Sequence, residues 1–401
     1  MSLNNTPRSN RVHIGIFGRR NAGKSSLINA LTGQNLAIVS DTPGTTADPV
    51  YKSMELHPIG PVVFIDTAGI DDEGDLGRLR VAKTEDVIAR TDVAILVADG
   101  LAPDFEYEKR WLDRLNKAGI PVITVLNKID GPTSKNSSGD FASAIRVSAK
   151  TGEGIDQLRE AIADAVPEEY MQERILGELL EDSSLVMLVI PQDIQAPKGR
   201  LILPQVQTLR ELLDRKCSVL STTADGFEKA LNALNRAPDL IITDSQCFHE
   251  VHQKKPEQSA LTSFSILMAA AKGDIHVFLD GVSAIDTALN CAADKDFRVL
   301  IAEACTHVPL AEDIGTVKIP KLLHKAFGDR VAIANVRGND FPDAKSLKQY
   351  DLIIHCGACM FNRRHVMSRI TAAREAGVPI TNYGIFLAKM AGILDKVTLP
   401  L

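Results

Sequence analysis

The stretch Gly18-Arg19-Arg20-Asn21-Ala22-Gly23-Lys24-Ser25, GRRNAGKS, sits between the β-branched run RVHIGIFG and the helix-like KSSLINALTG. It fits G-x-x-x-x-G-K-[ST] in the strand–loop–helix setting that the pattern requires. Backbone N–H groups of such a loop converge with the helix N-terminus on phosphate. Lys24 adds a positive charge aimed at the β and γ phosphates, and Ser25 offers a hydroxyl to Mg²⁺. The nucleotide-contacting residues expected here are Gly18, Asn21, Ala22, Gly23, Lys24, Ser25 and Ser26. A glycine turn between a strand and a helix would satisfy this match alone, so the reading depends on whether partner motifs stand further along the chain.

Three more motifs do stand there in order, each closing a strand-like run. DTAG, Asp66–Gly69, puts an acid where it can hold the Mg²⁺ shell and the Gly69 N–H where it can meet a γ-phosphate. NKID, Asn127–Asp130, brings Asn127, Lys128 and a carboxylate to the base. Asp130 can accept from both guanine N1–H and its exocyclic amine, a donor pair adenine lacks. SAK, Ser148–Lys150, supplies the last loop through Ser148, Ala149 and Lys150. Together the four predict a GTP-hydrolysing domain with Lys24, Asp66 and Gly69 in catalysis.

The rest of the chain extends this order. At 401 residues it has room for two or three domains at roughly 150 residues each. Short β-branched runs alternate with helical patterns throughout, which predicts mainly parallel sheets with helices on both faces. The expected architecture is α/β in three domains: a P-loop GTPase fold followed by two smaller parallel β/α units. The boundaries expected are 1–167 for the nucleotide domain, 168–183 for a connecting helix, 184–258 for a middle unit and 259–401 for a third. The third unit is read with strands IHVFLDG, RVLIAEAC, RVAIANVRG and DLIIHCGAC. A formal net charge of -6 argues against a broad nucleic-acid surface. The first residues lack the apolar run of a signal peptide, and no run approaches a membrane span, so a cytoplasmic protein off the membrane is expected.

In that compartment the six cysteines are expected as thiols. Cys217, Cys247 and Cys291 stand singly and read as small buried hydrophobes. Cys356 and Cys359 differ, because C-x-x-C lets two thiolates reach one centre from a single turn. Cys305 directly follows RVLIAEA and Cys356 follows DLIIH, so a parallel sheet would place both at one edge, where α/β folds hold ligands. His307 and His355 are neighbouring candidates. Three thiolates allow a redox pair, a Cys₃His zinc site or an iron–sulfur cluster with an open iron position, and the spacing weighs zinc and cluster equally. Arg363 and Arg364, just after the motif, could offset a cluster's charge, or simply begin a solvated helix.

The nucleotide motifs resemble the translation-factor-like GTPases of tRNA modification and ribosome assembly. In that comparison PGTTAD, Pro43–Asp48, matches a first switch and Thr46 the Mg²⁺-contacting, catalytic threonine. Asn21 matches the asparagine that in potassium-activated members helps bind K⁺. Ile70 stands where a water-orienting glutamine is found elsewhere, so a slow, K⁺-stimulated rate is expected. Ala47 departs from the arginine often found there.

Taken whole, the G-domain, the middle APKGRLILPQVQ and the C-x-H…H-C-x-x-C pattern resemble the GTPases of [FeFe]-hydrogenase maturation. The resemblance implies a [4Fe–4S] cluster on Cys305, Cys356 and Cys359, with an exchangeable fourth position near His307 or His355. It implies a homodimer formed by the middle domain and a scaffold or carrier role. The cargo would be a transient di-iron precursor received from two radical-SAM maturases and delivered to apo-[FeFe]-hydrogenase. The competing expectation is an RNA- or ribosome-directed GTPase with a structural zinc site. The net charge and the absence of a GxxG-type RNA clamp stand against that one.

Overall fold

A computed structural model describes residues 7–32, 49–57, 59–67, 85–102, 104–131, 141–167, 174–191, 201–291, 296–304 and 313–400. The chain divides into two compact units, Met1–Glu173 and Arg174–Leu401.

The first unit is a six-stranded sheet. Its strands are β1 (Val12–Phe17), β2 (Val50–Leu56), β3 (Gly60–Asp66), β4 (Val93–Asp99), β5 (Val122–Asn127) and β6 (Ile145–Arg146), in the order β2-β3-β1-β4-β5-β6. All pairs are parallel except β2–β3, whose half-exposed sequence VYKSMEL runs antiparallel along the edge. Central parallel strands are covered on both faces and so are continuously apolar. Ile14, Ile16, Ile95 and Val97 pack with Leu27, Ile28, Leu158 and Ile162, while Phe17, Ala94, Leu96 and Ala98 pack with Trp111 and Leu115. The alternation of β-strand side chains thus builds two cores from one sheet.

The second unit holds two four-stranded parallel sheets. One comprises β7 (Leu185–Val189), β8 (Ser218–Thr222), β9 (Leu240–Thr243) and β10 (Ala260–Ser263), ordered β10-β9-β7-β8. The other comprises β11 (Phe297–Glu303), β12 (Val331–Arg337), β13 (Leu352–His355) and β14 (Ile380–Asn382), ordered β12-β11-β13-β14. The expected fold class, a P-loop domain followed by further parallel sheets, is what the structure has.

Three local expectations change. IHVFLDG is not a strand but the helix Ile275–Val282. Asp274 caps it, accepting from the N–H groups of His276 and Val277, and Ile275, Phe278 and Val282 are buried at helical spacing. Ala260–Ser263 pairs with β9, so a third unit beginning at 259 would cut a strand out of the middle sheet. Finally, the described part of the expected connecting helix, residues 174–183, runs in turns. The N–H groups of Ile175 and Leu176 go to the Glu211 carboxylate at 2.6 and 3.3 Å instead of to a helical ladder.

Candidate functional site

The loop between β1 and the helix Lys24–Thr32 is shaped by backbone conformations that most residues avoid. Asn21 has φ 60° and Gly23 φ 88°, and a Cβ on Gly23 would lie 2.3 Å from Asn127 Nδ2. Lys24 is buried and arches back over the loop, giving its ammonium to the carbonyls of Gly18 and Arg19 at 2.8 Å each. Ser25 donates its hydroxyl to Asp66 at 2.7 Å, which joins the end of β3 to the first turn of the helix. Burial raises the Asp66 carboxyl, against the Ser25 hydroxyl and the Lys24 charge. That is the balance expected of an acid held ready for a cation. Ser26 continues the same turn.

The base side is equally connected. Asn127, 2% exposed, donates to Ala22 O at 2.9 Å and accepts from Ala149 N at 3.1 Å, so one amide joins the phosphate loop to the SAK loop. Lys128 adopts φ 66° and pairs with Asp99 at 2.6 Å. Ser148 is buried and donates to Asp130 Oδ1 at 2.7 Å, which holds the Asp130 carboxyl below its usual range. An ionised, oriented carboxylate presents only acceptors. Lys150 adds its charge from the same loop. Of the residues expected here, Thr46, Ala47, Gly69 and Ile70 lie outside the described residues.

At the other candidate centre, β11 and β13 are neighbours, with Ala302 paired to His355 and the Cys356 N–H bonded to Ala302 O at 2.9 Å. The two strand ends therefore finish together. Ala304, the residue before Cys305, donates its N–H to Cys356 Sγ at 3.1 Å, and Ala358, held at φ 52°, donates another at 3.4 Å. Burial pushes the Cys356 thiol up to about 11, opposed by those N–H bonds, and raises Cys359 as well, opposed by Lys272. Cys305 and His307 lie outside the described residues. Among the described residues, no cluster of three His, Cys, Asp or Glu side chains could hold a metal ion.

His355 stands beside the thiol turn with both ring nitrogens in hydrogen-bond contact. Its Nδ1 lies 2.8 Å from Cys356 O, and its Nε2 lies 3.0 Å from Arg369 Nη1. A guanidinium only donates, so Nε2 accepts and Nδ1–H donates; both ring nitrogens are engaged. Burial, with the Arg369 charge, lowers the imidazole to about 3, so the ring is neutral. Arg363 is no solvated helix start: it donates to Ala271 O and Gly273 O at 3.1 and 2.8 Å.

Sequence reading passed over the residues that surround this loop. Lys272, Arg369, Glu303 and Tyr383 are all buried there. Glu303 accepts from Arg337 at 3.1 Å and from the Tyr383 hydroxyl at 3.3 Å. The one available signal was a charge on an apolar helix face, as in FSILMAAAK.

A parallel sheet carrying a phosphate loop, an acid on the Mg²⁺-side serine and a carboxylate poised for guanine define a P-loop GTPase domain. Residues 13–128 match the family model described as 50S ribosome-binding GTPase. Residues 175–273 match the hydrogen maturase F dimerization domain and residues 276–400 the hydrogen maturase F tetramerization domain. The chain belongs to the hydrogen maturase F family.

Similarity to individual curated proteins falls on the G-domain. The tRNA modification GTPase MnmE of Laribacter hongkongensis is 38% identical over 158 residues, 39% of this chain and 35% of that protein. The GTPase Der of Campylobacter concisus is 43% identical over 125 residues, 30% of this chain and 27% of that one. The chain thus spans about a third of the length of the curated relatives it matches. Among solved structures, Era of Aquifex aeolicus bound to GDP.AlF4- is 19% identical with a TM-score of 0.34, covering 56% of this chain and 98% of that one. No helix among the described residues is long and apolar enough to cross a membrane.

Proposed function

We propose that this protein is a GTP-hydrolysing scaffold or carrier of [FeFe]-hydrogenase maturation. It would hold an iron–sulfur cluster on Cys305, Cys356 and Cys359, and pass a di-iron precursor from two radical-SAM maturases to apo-[FeFe]-hydrogenase in the cytoplasm. The observation that carries the reading is the 3.1 Å bond from Ala304 N–H to Cys356 Sγ. It sets the residue next to Cys305 against the first thiol of the C-x-x-C turn.

The donor set fits such a group. A sulfur that accepts two backbone N–H bonds is prepared for negative charge, while burial keeps the metal-free Cys356 protonated. Replacing that proton by a metal cation removes the desolvation penalty, so loading releases protons. When bound, a three-cysteine cluster supplies one iron open to an exchangeable ligand. The chain's own residues supply the enclosure, with Ala304 and Ala358 N–H groups on sulfur and His355 holding the Cys356 carbonyl.

In the G-domain, Lys24 would leave the Gly18 and Arg19 carbonyls for phosphate oxygens, and Ser25 and Asp66 would hold Mg²⁺ with Thr46. Gly69 would report the γ-phosphate, which orders switch segments in such proteins. The exposure of Asn21 on the loop, in a left-handed conformation, supports the K⁺ role. With no water-orienting side chain at Ile70, slow intrinsic turnover is expected. Homodimerisation through the middle unit is supported by exposed Leu201, Val206 and Leu213 on and beside the helix Leu203–Asp214.

Anaerobic reconstitution with iron and sulfide tests the reading. Wild-type protein should become brown with a reducible EPR signal, and Cys305→Ala should lose both. Colourless protein that retains only zinc would overturn the cluster assignment. Lys24→Ala and Ser25→Ala should end GTP hydrolysis and hydrogenase activation while colour persists. Full maturation by either variant would remove GTP turnover from the process.

A further inference from the structure

Two buried cations clamp the turn that carries Cys356 and Cys359. At its far end, Lys272, 2% exposed near the end of the helix Phe264–Lys272, gives its ammonium to Phe361 O at 2.6 Å. At its near end, Arg369, 3% exposed on the helix Arg363–Ala376, bonds His355 Nε2 at 3.0 Å and also donates to Gly338 O. His355 relays that hold to Cys356 O. The guanidinium lies 4.7 Å from the Phe341 ring centre and 4.5 Å from that of Phe361, so its position is fixed on two aromatic faces.

Desolvating an ammonium and a guanidinium is costly. A fold keeps such charges where something gains from them, and the turn between them carries two thiols. Arg363 does not fill this role, since it is engaged on the carbonyls that end the helix of Lys272. Of the two buried carboxylates that act on Tyr383 beside Cys356, Glu303 pairs with Arg337 at 3.1 Å and Asp313 accepts from the Thr316 N–H and hydroxyl at 2.7 and 2.9 Å.

We infer that Lys272 and Arg369 are positioning residues whose buried positive charge balances the thiolate-bound iron–sulfur group and raises its reduction potential. The inference rests on the cluster reading above. Reduction adds one electron to the group and so one negative charge. A fixed positive charge nearby, little screened by solvent, stabilises the reduced form. Removing the charge must make the group harder to reduce.

The test uses the full chain, reconstituted anaerobically with iron and sulfide and titrated with dithionite under EPR. Lys272→Gln and Arg369→Gln should each lower the one-electron reduction constant at least about tenfold, which corresponds to about 59 mV. Lys272→Arg and Arg369→Lys should stay with the wild type. Potentials unchanged in both glutamine variants would overturn the inference. Should a glutamine variant take up no iron, uptake by its charge-keeping counterpart supports the inference. Failure of both, with native circular dichroism, shows a shape requirement and overturns it. If one position does not tolerate substitution, the other decides. Wild-type protein that takes up no iron would instead refute the cluster reading itself, a distinguishable result.

Discussion

Replacing His355 by leucine separates a ligand from a support. Leucine fills a similar volume but removes both polar contacts, the 2.8 Å bond to Cys356 O and the 3.0 Å bond from Arg369. Each buried group left without its partner costs about 1–3 kcal/mol. Arg369 retains Gly338 O, which limits the loss, so about 2–4 kcal/mol is expected in total. For a unit of this size that lowers the melting temperature by roughly 5–15 °C. Calorimetry of the second unit's transition measures this, and iron content at neutral pH measures the site.

We expect His355→Leu to melt earlier yet bind iron, because neither ring nitrogen is available to a metal. The pH profile gives a second readout. The imidazole sits near 3 in the fold against 6.5 when unfolded. Its contribution is therefore complete above about pH 6.5 and fades as pH falls towards 3, by about 1.4 kcal/mol per unit. His355→Leu should remove that component of the acid slope. Loss of iron with an unchanged melting temperature would refute the argument and make His355 a ligand.

Other expectations rest on single contacts. Asp130→Asn exchanges an acceptor for a donor at the guanine edge, so GDP affinity should fall by about a hundredfold or more while xanthosine diphosphate gains; calorimetric titration of both reads it. Gly281→Ala would place a Cβ 2.0 Å from Ile380 O, so the helix Ile275–Val282 must move off β14 at a cost of about 2–4 kcal/mol, visible in urea unfolding. Val206→Asp with Leu213→Asp puts charge on two exposed apolar positions, 46% and 54% exposed, and should shift sedimentation towards monomer. Exchanging K⁺ for Na⁺ should slow GTP turnover, and an equal rate in both salts would remove Asn21 from a cation role.

The nucleotide site was readable in the sequence because its chemistry is local. Each loop follows its own strand and uses short, contiguous motifs, so spacing alone singled out Lys24, Ser25, Asp66, Asn127 and Asp130 as candidates, which the fold brings into two connected groups. Much of the order of strands and helices was legible for the same reason, though in IHVFLDG a β-branched appearance concealed an Asp274-capped helix. Edge pieces such as β2, β10 and β14 escaped notice because short strands are defined by the neighbour they pair with.

What the linear sequence determined was therefore the guanine-nucleotide domain and the presence of a thiol pair. Only the tertiary structure decided what surrounds that pair. It placed β13 beside β11, set His355 as a bridge between Arg369 and the Cys356 carbonyl, and brought Lys272 onto the carbonyl of Phe361 at the far end of the turn. The physical reason is range. A motif specifies bonds between residues a few positions apart, whereas the groups that hold the turn of Cys356 and Cys359 include Lys272, brought in from a helix some ninety positions away in the chain.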